Sequence, residues 1–234
     1  MLDIHTHILP NIDDGSRSVA ESVAMIRASM EQGVNRLALT PHFYPERESP
    51  KRFLERRGES ARELSAALAG MKQLPKMCLG AEVAYFEGMS RTEHIDSLCI
   101  GRTRMLLVEL PFSTWNHRVL DELFDLQDKR GVQLVLAHID RYLHFQRPGT
   151  MRELCERGFW IQASTSFFLD LHTSWLAMRM LRQHKIHFLG SDCHNTSGRV
   201  QNMGRAMARI DRRLGPQAIG HLEYMENTVW EGCQ

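Results

Sequence analysis

The most restrictive feature of the sequence is a series of histidine and carboxylate residues, each at or just past the end of a predicted β-strand. They occur in chain order in six groups: Asp3-Ile-His5-Thr-His7, Pro41-His42, Ala81-Glu82, Glu109, His138 and Asp192-Cys-His194. In a barrel of parallel strands, the carboxyl ends form one rim, which carries the active site. An open sheet would keep its outer strands too far apart for six groups to meet. The placement therefore favours a barrel.

Short apolar runs alternate with amphipathic stretches along the chain. The apolar runs predict seven strands, at residues 2–5, 36–40, 76–82, 105–110, 133–138, 159–163 and 187–190. Amphipathic periodicity and capping signals predict helices at 19–30, 50–70, 117–130, 151–157, 174–183, 198–213 and 216–230. Repeated β-α units indicate a parallel sheet with right-handed crossovers. We therefore expect an α/β fold, a seven-stranded (β/α)7 barrel, formed by a single domain over residues 1–234.

Composition excludes several classes of protein. The 43% apolar and 24% charged residues are ordinary for a globular protein, and a net charge of +1 gives no reason to expect nucleic acid as a partner. No apolar run approaches the roughly 20 residues that span a bilayer, so we expect no membrane insertion. The start of the chain does not resemble a signal peptide, and the five cysteines form an odd set without CxxC spacing. These features favour a cytoplasmic protein with free thiols.

The residue types in the six groups favour metal binding. His5 and His7 are two apart on a strand, so both imidazoles face one side and can hold one ion. Carboxylates suit hard divalent ions, and imidazole extends the choice to Mn²⁺, Fe or Zn²⁺. Five histidines and about four carboxylates exceed what one ion can use, which indicates two or three ions bridged by a carboxylate such as Glu82. Such a site suits phosphoester hydrolysis.

Other interpretations exist for individual motifs. A histidine at a strand end, such as His138, is ordinarily a hydrogen-bonded core residue, and Asp13-Asp14-Gly15 alone predicts a turn. The stretch SDCHNTSGR places Cys193 five residues before Arg199, as in cysteine-dependent phosphatases. It lacks the histidine that usually precedes the nucleophilic cysteine, and it has little glycine for a phosphate-wrapping loop. We therefore favour the metal and interpret Cys193 as a packing residue.

The motifs together resemble the PHP (polymerase and histidinol phosphatase) superfamily of metal-dependent phosphoesterases. DIHTHILPNIDDGSRS is similar to the bacterial branch of manganese-dependent protein-tyrosine phosphatases linked to capsule and exopolysaccharide synthesis. The likeness continues through TPH, GAEV, VEL, AHIDRY and SDCHNTSGR, from residue 3 to about residue 203. It implies a distorted seven-stranded barrel with a trinuclear metal centre. The implied ligands are His5, His7, Asp14, His42, Glu82, Glu109, His138, Asp192 and His194.

The resemblance also implies a function. Arg141 and Arg199 would bind the substrate phosphate, and metal-activated hydroxide would attack phosphotyrosine without a covalent phosphoenzyme. Manganese is the first choice for the three ions, with Fe, Mg, Zn or Co as alternatives. The implied partner is a phosphotyrosine protein, a bacterial tyrosine kinase of polysaccharide synthesis. The alternatives are a histidinol-phosphate or nucleotide phosphatase and a non-catalytic, regulatory metal-binding barrel.

Overall fold

A computed structural model describes residues 1–233, which form nine β-strands and eight α-helices. The strands are β1 (Leu2–Thr6), β2 (Arg36–Leu39), β3 (His42–Phe43), β4 (Lys76–Leu79), β5 (Glu82–Ala84), β6 (Met105–Glu109), β7 (Gln133–Leu136), β8 (Trp160–Ser164) and β9 (Phe188–Gly190). The helices are α1 (Val19–Glu31), α2 (Pro50–Leu68), α3 (His117–Arg130), α4 (Pro148–Glu156), α5 (Thr165–Leu169), α6 (Ser174–Arg182), α7 (Met203–Leu214) and α8 (Pro216–Trp230). Short 3-10 turns lie at Met89–Arg91, Ile95–Leu98 and Ile139–Arg141.

All strand pairs are parallel, and the strands follow one another in chain order. A three-stranded sheet has the order β1-β2-β4, and a six-stranded sheet has the order β3-β5-β6-β7-β8-β9. The segment after β9 returns to the free edge of β1. The Asp192 amide donates to the His5 carbonyl at 2.9 Å, and the His7 amide donates to the Cys193 carbonyl at 3.0 Å. The result is a curled parallel sheet, which confirms the α/β prediction.

Two predicted strands are interrupted. The predicted strands at 36–40 and 76–82 divide into β2 and β3, and into β4 and β5, with breaks at 40–41 and 80–81. Both breaks occur at the same level, because Leu39 pairs with Leu79 before them and His42 pairs with Glu82 after them. Glycine at position 80 permits the close approach at this break, since a Cβ there would lie only 3.0 Å from Ile100 Cγ1. The two strands therefore bend together, and sequence periodicity did not indicate the bend.

Most helix predictions are confirmed, with one clear correction. The predicted helix at 198–213 begins only at Met203, because residues 195–202 form a loop. Asn195 Oδ1 accepts hydrogen bonds from the amides of Ser197, Gly198 and Arg199 at 3.1, 2.6 and 3.2 Å. A side chain that captures successive amides stabilises a turn in competition with a helix. Helix α5 was not predicted at all.

The smaller of two apolar clusters is completed by α8. Met225, Val229 and Trp230 of this helix pack with strand residues that include Met105 and Leu107. Leu106 and Val108, on the opposite face of β6, belong to the larger cluster with the other helices. Glu109 follows Leu107 on the same face because side chains alternate along a strand. No helix within residues 1–233 combines the length and apolar character needed to cross a membrane.

A group of three histidines lies beside β9 and α8. His187 Nδ1 accepts a hydrogen bond from the Ile161 amide at 3.1 Å, and His221 Nε2 lies 3.0 Å from the Ile186 carbonyl. The ring centroids of His184 and His221 are 4.5 Å apart. Burial, together with the neighbouring His221 and His184, lowers the pKa of His187 to about 4. His187 is therefore neutral at pH 7 and acts as a structural acceptor.

Candidate metal centre

The residues predicted as metal ligands converge at the carboxyl ends of the strands. Eight of the nine contribute atoms to three groups whose ligand atoms lie within 4.8 Å of one another. These groups are His7, Asp14, His42 and His194; His5, His7 and Asp192; and His42, Glu82 and Glu109. The ninth, His138, joins them through its Nε2, which is 2.7 Å from Glu82 Oε1 and 3.5 Å from Glu109 Oε1.

Four atoms surround the centre of the cluster. His5 Nε2 lies 3.1 Å from His7 Nε2, 3.1 Å from Glu82 Oε2 and 3.7 Å from Asp192 Oδ1. His7 Nε2 lies 3.3 Å from the same Glu82 oxygen and 3.4 Å from the same Asp192 oxygen. Ligands about 2.1 Å from one ion are about 3.0–3.4 Å apart in octahedral or tetrahedral geometry. Four of the five separations are those of atoms around a shared divalent cation, and the His5–Asp192 separation of 3.7 Å is slightly longer.

Unsatisfied buried atoms test the fit of a metal independently. Glu82 Oε2, Asp192 Oδ1, His42 Nδ1 and His138 Nδ1 are buried and make no hydrogen bond among the described residues. His42 Nδ1 and Glu82 Oε2 are 2.9 Å apart, but their orientation is not that of a hydrogen bond. Buried polar atoms without partners are costly, on the order of 1–3 kcal/mol each, and are therefore rare. Two of them are carboxylate oxygens, which accept but cannot donate. The donor set fits divalent cations with mixed oxygen and nitrogen ligands.

The local backbone explains how several ligands reach the cluster. His42 and Glu82 are register partners on β3 and β5, and His42 Nδ1 lies 2.9 Å from Glu82 Oε2. His138 and Asp192 adopt positive φ angles of 29° and 53°, which non-glycine residues rarely occupy. Strained backbone of this kind is concentrated at functional sites. His138 was predicted as the last residue of a strand, but β7 ends at Leu136.

Two further residues orient the histidines, and the sequence interpretation missed both roles. Asp13 Oδ2 accepts from His7 Nδ1 at 2.7 Å and from the His42 amide at 2.9 Å. Gln162 Oε1 lies 3.1 Å from His5 Nδ1 and accepts from the His138 amide at 2.6 Å. Asp3, predicted as part of the first group, instead accepts from Gln201 Nε2 at 2.8 Å. Carboxylate or carbonyl partners of this type fix the tautomer of metal-binding imidazoles.

Two glycines permit the close packing around the paired histidines. A Cβ at Gly15 would lie 2.3 Å from His7 O and 2.5 Å from His7 Cβ. A Cβ at Gly190 would lie 2.6 Å from His5 Cβ and 2.7 Å from Gln162 Nε2. Real Cβ atoms do not approach backbone this closely, so a larger residue at either position displaces a histidine. The glycine in Asp13-Asp14-Gly15 therefore serves the site as well as the turn.

Burial and neighbouring charges determine the ionisation of the carboxylates. Burial raises the pKa of Glu82, but the charges of His5 and His42 outweigh it and hold this pKa well below its ordinary value. Burial likewise raises the pKa of Asp192, and the adjacent His5 more than offsets this, so the net shift is downward. Both groups are therefore carboxylates at neutral pH, the form that binds cations.

Arg141 and Arg199 lie on one side of the cluster. Both donate through Nη2 to Asp192 Oδ2, and Arg199 Nη1 is 2.7 Å from His194 Nε2. Their side chains are 35% and 39% exposed, so each guanidinium is also accessible from solvent. Asp192 therefore faces the histidines with one oxygen and both arginines with the other.

Cys193 does not face this site as a nucleophile. The residue is fully buried, and burial raises the pKa of its thiol to about 12. It packs in the larger apolar cluster, as predicted for a packing residue. A thiol protonated at neutral pH is a poor nucleophile. The geometry therefore argues against the cysteine-phosphatase interpretation.

Comparison with known proteins gives a consistent result. The family model for capsular polysaccharide synthesis, CpsB/CapC, matches residues 1–229. The chain is 29% identical to tyrosine-protein phosphatase YwqE of Bacillus subtilis (strain 168), over 93% of this chain and 86% of that protein. It is 28% identical to tyrosine-protein phosphatase CpsB of Streptococcus pneumoniae, over 95% and 94% of the two chains.

A solved structure is also similar. It comes from work on YwqE from Bacillus subtilis and CpsB from Streptococcus pneumoniae, described as unique metal-dependent tyrosine phosphatases. The TM-score is 0.83 at 25% sequence identity, and the alignment covers 96% of this chain and 92% of the other. The fold and the site define an α/β protein with a buried cluster of metal-competent residues at the carboxyl ends of its parallel strands. Within that class, the chain belongs to the CpsB/CapC family of capsular polysaccharide synthesis.

Proposed function

We propose that this protein is a metal-dependent protein-tyrosine phosphatase. The observation that carries the proposal is the buried cluster of histidines and carboxylates, with unsatisfied acceptor atoms, beside two partly exposed arginines. Cations would satisfy the carboxylate oxygens, and the guanidiniums suit the remaining oxygens of a phosphate monoester. The names of the relatives, which are tyrosine-protein phosphatases, support the same activity.

The ligands in this proposal are the nine predicted residues, holding three divalent ions with manganese as the first choice. The three ligand groups, which share His7 and His42, support the number three. Mixed nitrogen and oxygen donors support manganese, with Fe, Mg, Zn or Co as alternatives. Bound divalent ions supply a hydroxide nucleophile at neutral pH and neutralise charge that develops on the phosphate.

The residues of the chain have separate tasks in the reaction. Asp13 and Gln162 hold the imidazoles of His7 and His5 with their Nε2 atoms turned toward the centre. Arg141 and Arg199 bind and neutralise the non-bridging phosphate oxygens, while Asp192 Oδ2 keeps the two guanidiniums together. No residue of the chain needs to form a covalent phosphoenzyme.

Aromatic residues at the rim support an aryl phosphate as substrate. Phe112 is 50% exposed and stacks on His138 at a centroid distance of 6.2 Å and an interplanar angle of 13°. On another side, Tyr44 stacks on His42 at 5.0 Å. An exposed aromatic ring beside a phosphate site offers a surface to the phenyl group of phosphotyrosine.

The proposal extends to the fold, the partner and the compartment. We consider the fold a distorted seven-stranded barrel of one domain, in which β2 with β3, and β4 with β5, each count as one bent strand. The bridge between Thr6 and Cys193 supports closure between the first and last strands. The proposed partner is a bacterial tyrosine kinase of polysaccharide synthesis, by analogy with the family. Five free cysteines support the cytoplasm as the compartment.

The test is a substrate panel on protein stripped with a chelator and reloaded with Mn²⁺. We expect hydrolysis of phosphotyrosine peptides to disappear with the chelator, to return with Mn²⁺ and to be lost in Asp192→Ala. Elemental analysis of the purified protein counts the ions. A strong preference for histidinol phosphate or a nucleotide would replace the proposed substrate. Metal binding without turnover of any phosphoester would instead favour a regulatory protein.

A further inference from the structure

A second cavity lies directly beside the metal centre. It has a volume of about 230 Å³ and is lined by Ile12, Asp13, His42, Tyr44, Arg47, Glu48, Arg52 and Arg56. The Asp13 carboxylate already accepts hydrogen bonds from His7 Nδ1 and from the His42 and Gly15 amides. His42 is the shared wall, because its Nδ1 is 2.9 Å from Glu82 Oε2 within the cluster. None of the three arginines belongs to the predicted site. A substrate bound at the metals would therefore extend into or past this cavity.

The charges of the cavity leave two guanidiniums free to bind a ligand. Arg56 donates to Glu48 Oε1 and, at 2.7 Å, to the Ile12 carbonyl, so it is fixed and neutralised. Within residues 1–233, no carboxylate lies within 4.0 Å of the guanidinium of Arg47 or Arg52. Both residues are exposed, and the Arg47 guanidinium lies 4.5 Å from the ring centroid of Tyr44. The open side of the cavity is therefore positively charged and suits an anion.

Glu48 adds a requirement for a hydrogen-bond donor. Its side chain is only 8% exposed, and its Oε2 is buried without a hydrogen-bond partner among the described residues. A carboxylate oxygen can be satisfied only by a donor. The occupant that fits the cavity thus carries an anionic group together with a hydrogen-bond donor. A peptide with an acidic side chain has both, in its carboxylate and its backbone N–H groups.

We propose that this cavity is a second anion-binding subsite, which holds a carboxylate or phosphate on the peptide segment next to the scissile phosphotyrosine. The proposal deepens the proposed function and rests on it. One imidazole separates the cavity from the metal centre, so the second anion lies within about three residues of the phosphotyrosine, at about 3.4 Å per residue. The preferred substrate is therefore an acidic or multiply phosphorylated peptide, not an isolated phosphotyrosine.

The experiment measures kcat/KM for a set of peptides that contain one phosphotyrosine. Each peptide differs at one position within three residues of the phosphotyrosine, on either side, where it carries alanine, glutamate, lysine or a second phosphotyrosine. The small substrate p-nitrophenyl phosphate, which has no neighbouring residues, is the reference. With Mn²⁺-loaded wild-type protein, we expect at least one glutamate or second-phosphotyrosine position to exceed its alanine counterpart about tenfold. The two anionic arms distinguish a carboxylate from a phosphate as the preferred group. The ratio of kcat/KM for the acidic peptide to kcat/KM for its alanine counterpart should fall with added salt, because salt screens the exposed guanidiniums.

Variants then assign the preference to the cavity. In Arg47→Gln/Arg52→Gln, the ratio of acidic to alanine peptide should fall to about one. The ratio does not depend on how much of a preparation is folded, since both substrates are tested on the same protein. Arg212→Gln, at an exposed position on α7, is the matched control and should keep the wild-type ratio.

The outcomes separate the two proposals. If the wild type hydrolyses neither p-nitrophenyl phosphate nor any phosphotyrosine peptide, the proposed function fails and the subsite fails with it. If it hydrolyses them all but shows no preference for an acidic neighbour, the function stands and the subsite is wrong. A preference that survives in the double variant, or that disappears equally in Arg212→Gln, also refutes the assignment to Arg47 and Arg52.

Discussion

Replacing Asp13 by asparagine should weaken metal binding although Asp13 is not a predicted ligand. The two carboxylate oxygens of Asp13 share three donors: Oδ2 accepts from His7 Nδ1 at 2.7 Å and from the His42 amide at 2.9 Å, and Oδ1 accepts from the Gly15 amide at 2.9 Å. Asparagine has one oxygen and an NH₂ group, so it cannot satisfy both sides. Whichever way the amide is oriented, its NH₂ group then lies against an N–H group that donates to Asp13 in the wild type.

The two possible orientations of the amide have different costs. With its NH₂ group toward Gly15, the variant loses one backbone hydrogen bond, which costs about 1–3 kcal/mol for a buried donor. With its NH₂ group toward His7, it favours the tautomer that carries the proton on Nε2, the atom that faces Glu82 and Asp192. Both orientations remove the negative charge that makes His7 a better ligand. Loss of such an orienting partner lowers metal affinity about 10–100-fold, or about 1.4–2.7 kcal/mol.

Calorimetric titration of metal-free protein with Mn²⁺ measures this affinity, and thermal unfolding in chelator measures the cost to the apo fold. The matched control is Asp170→Asn, because Asp170 also accepts from two backbone amides, those of His172 and Thr173, but contacts no histidine of the centre. It should leave metal affinity unchanged, because its single amide oxygen can still accept from both amides. If Asp13→Asn binds Mn²⁺ as tightly as wild type, the orienting role of Asp13 is wrong.

Three other perturbations test separate parts of the structure. Gly15→Ala should weaken Mn²⁺ binding and, through overpacking, destabilise the protein by about 1–3 kcal/mol in thermal unfolding. Gly149→Ala is its control: no atom lies within 4 Å of the new Cβ, so this variant should be neutral or stabilising. His187 has a folded pKa of about 4, below the ordinary 6.5, so its contribution is present above pH 6.5 and is lost as the pH falls toward 4. We expect a loss of up to about 3 kcal/mol in urea titrations with chelator, and a correspondingly smaller pH dependence in His187→Gln. Cys193→Ala should keep phosphotyrosine hydrolysis within about threefold of wild type while chelator abolishes it, and loss of activity only in the variant would restore the sulfur mechanism.

The order of strands and helices was predictable from the sequence because its signals are local. Helix α3 has the predicted bounds, and the structure shows why: Asn116 caps its first turn, and Gly131 ends it in the left-handed conformation. Helix α8 likewise begins at the predicted Pro216 and ends at Trp230. The paired breaks in β2–β3 and β4–β5 were not predictable, because they arise from two neighbouring strands that bend together around Gly80.

Most of the proposed ligands were recognisable for a related reason. All but Asp14, which only the family resemblance implied, stand at or just past a predicted strand end, and strand ends can be recognised from short windows of sequence. Two of them nevertheless adopt backbone conformations that no local pattern indicates: His138 and Asp192 have positive φ angles, and the predicted strand through His138 ends two residues earlier. Tertiary contacts determine these conformations. The His138 amide donates to Gln162, and the Asp192 amide donates to the His5 carbonyl.

The orienting residues show where such prediction stops. Gln162 lies 157 residues from His5 in sequence, so nothing near either residue indicates that they meet. Asp13 adjoins a predicted ligand, but its motif is equally typical of a turn, and only the structure shows its oxygen at His7 and His42. A ligand pattern therefore identifies the type of centre, whereas its affinity depends on contacts between distant segments. For the same reason, two members of one family can share every ligand and still differ in metal affinity.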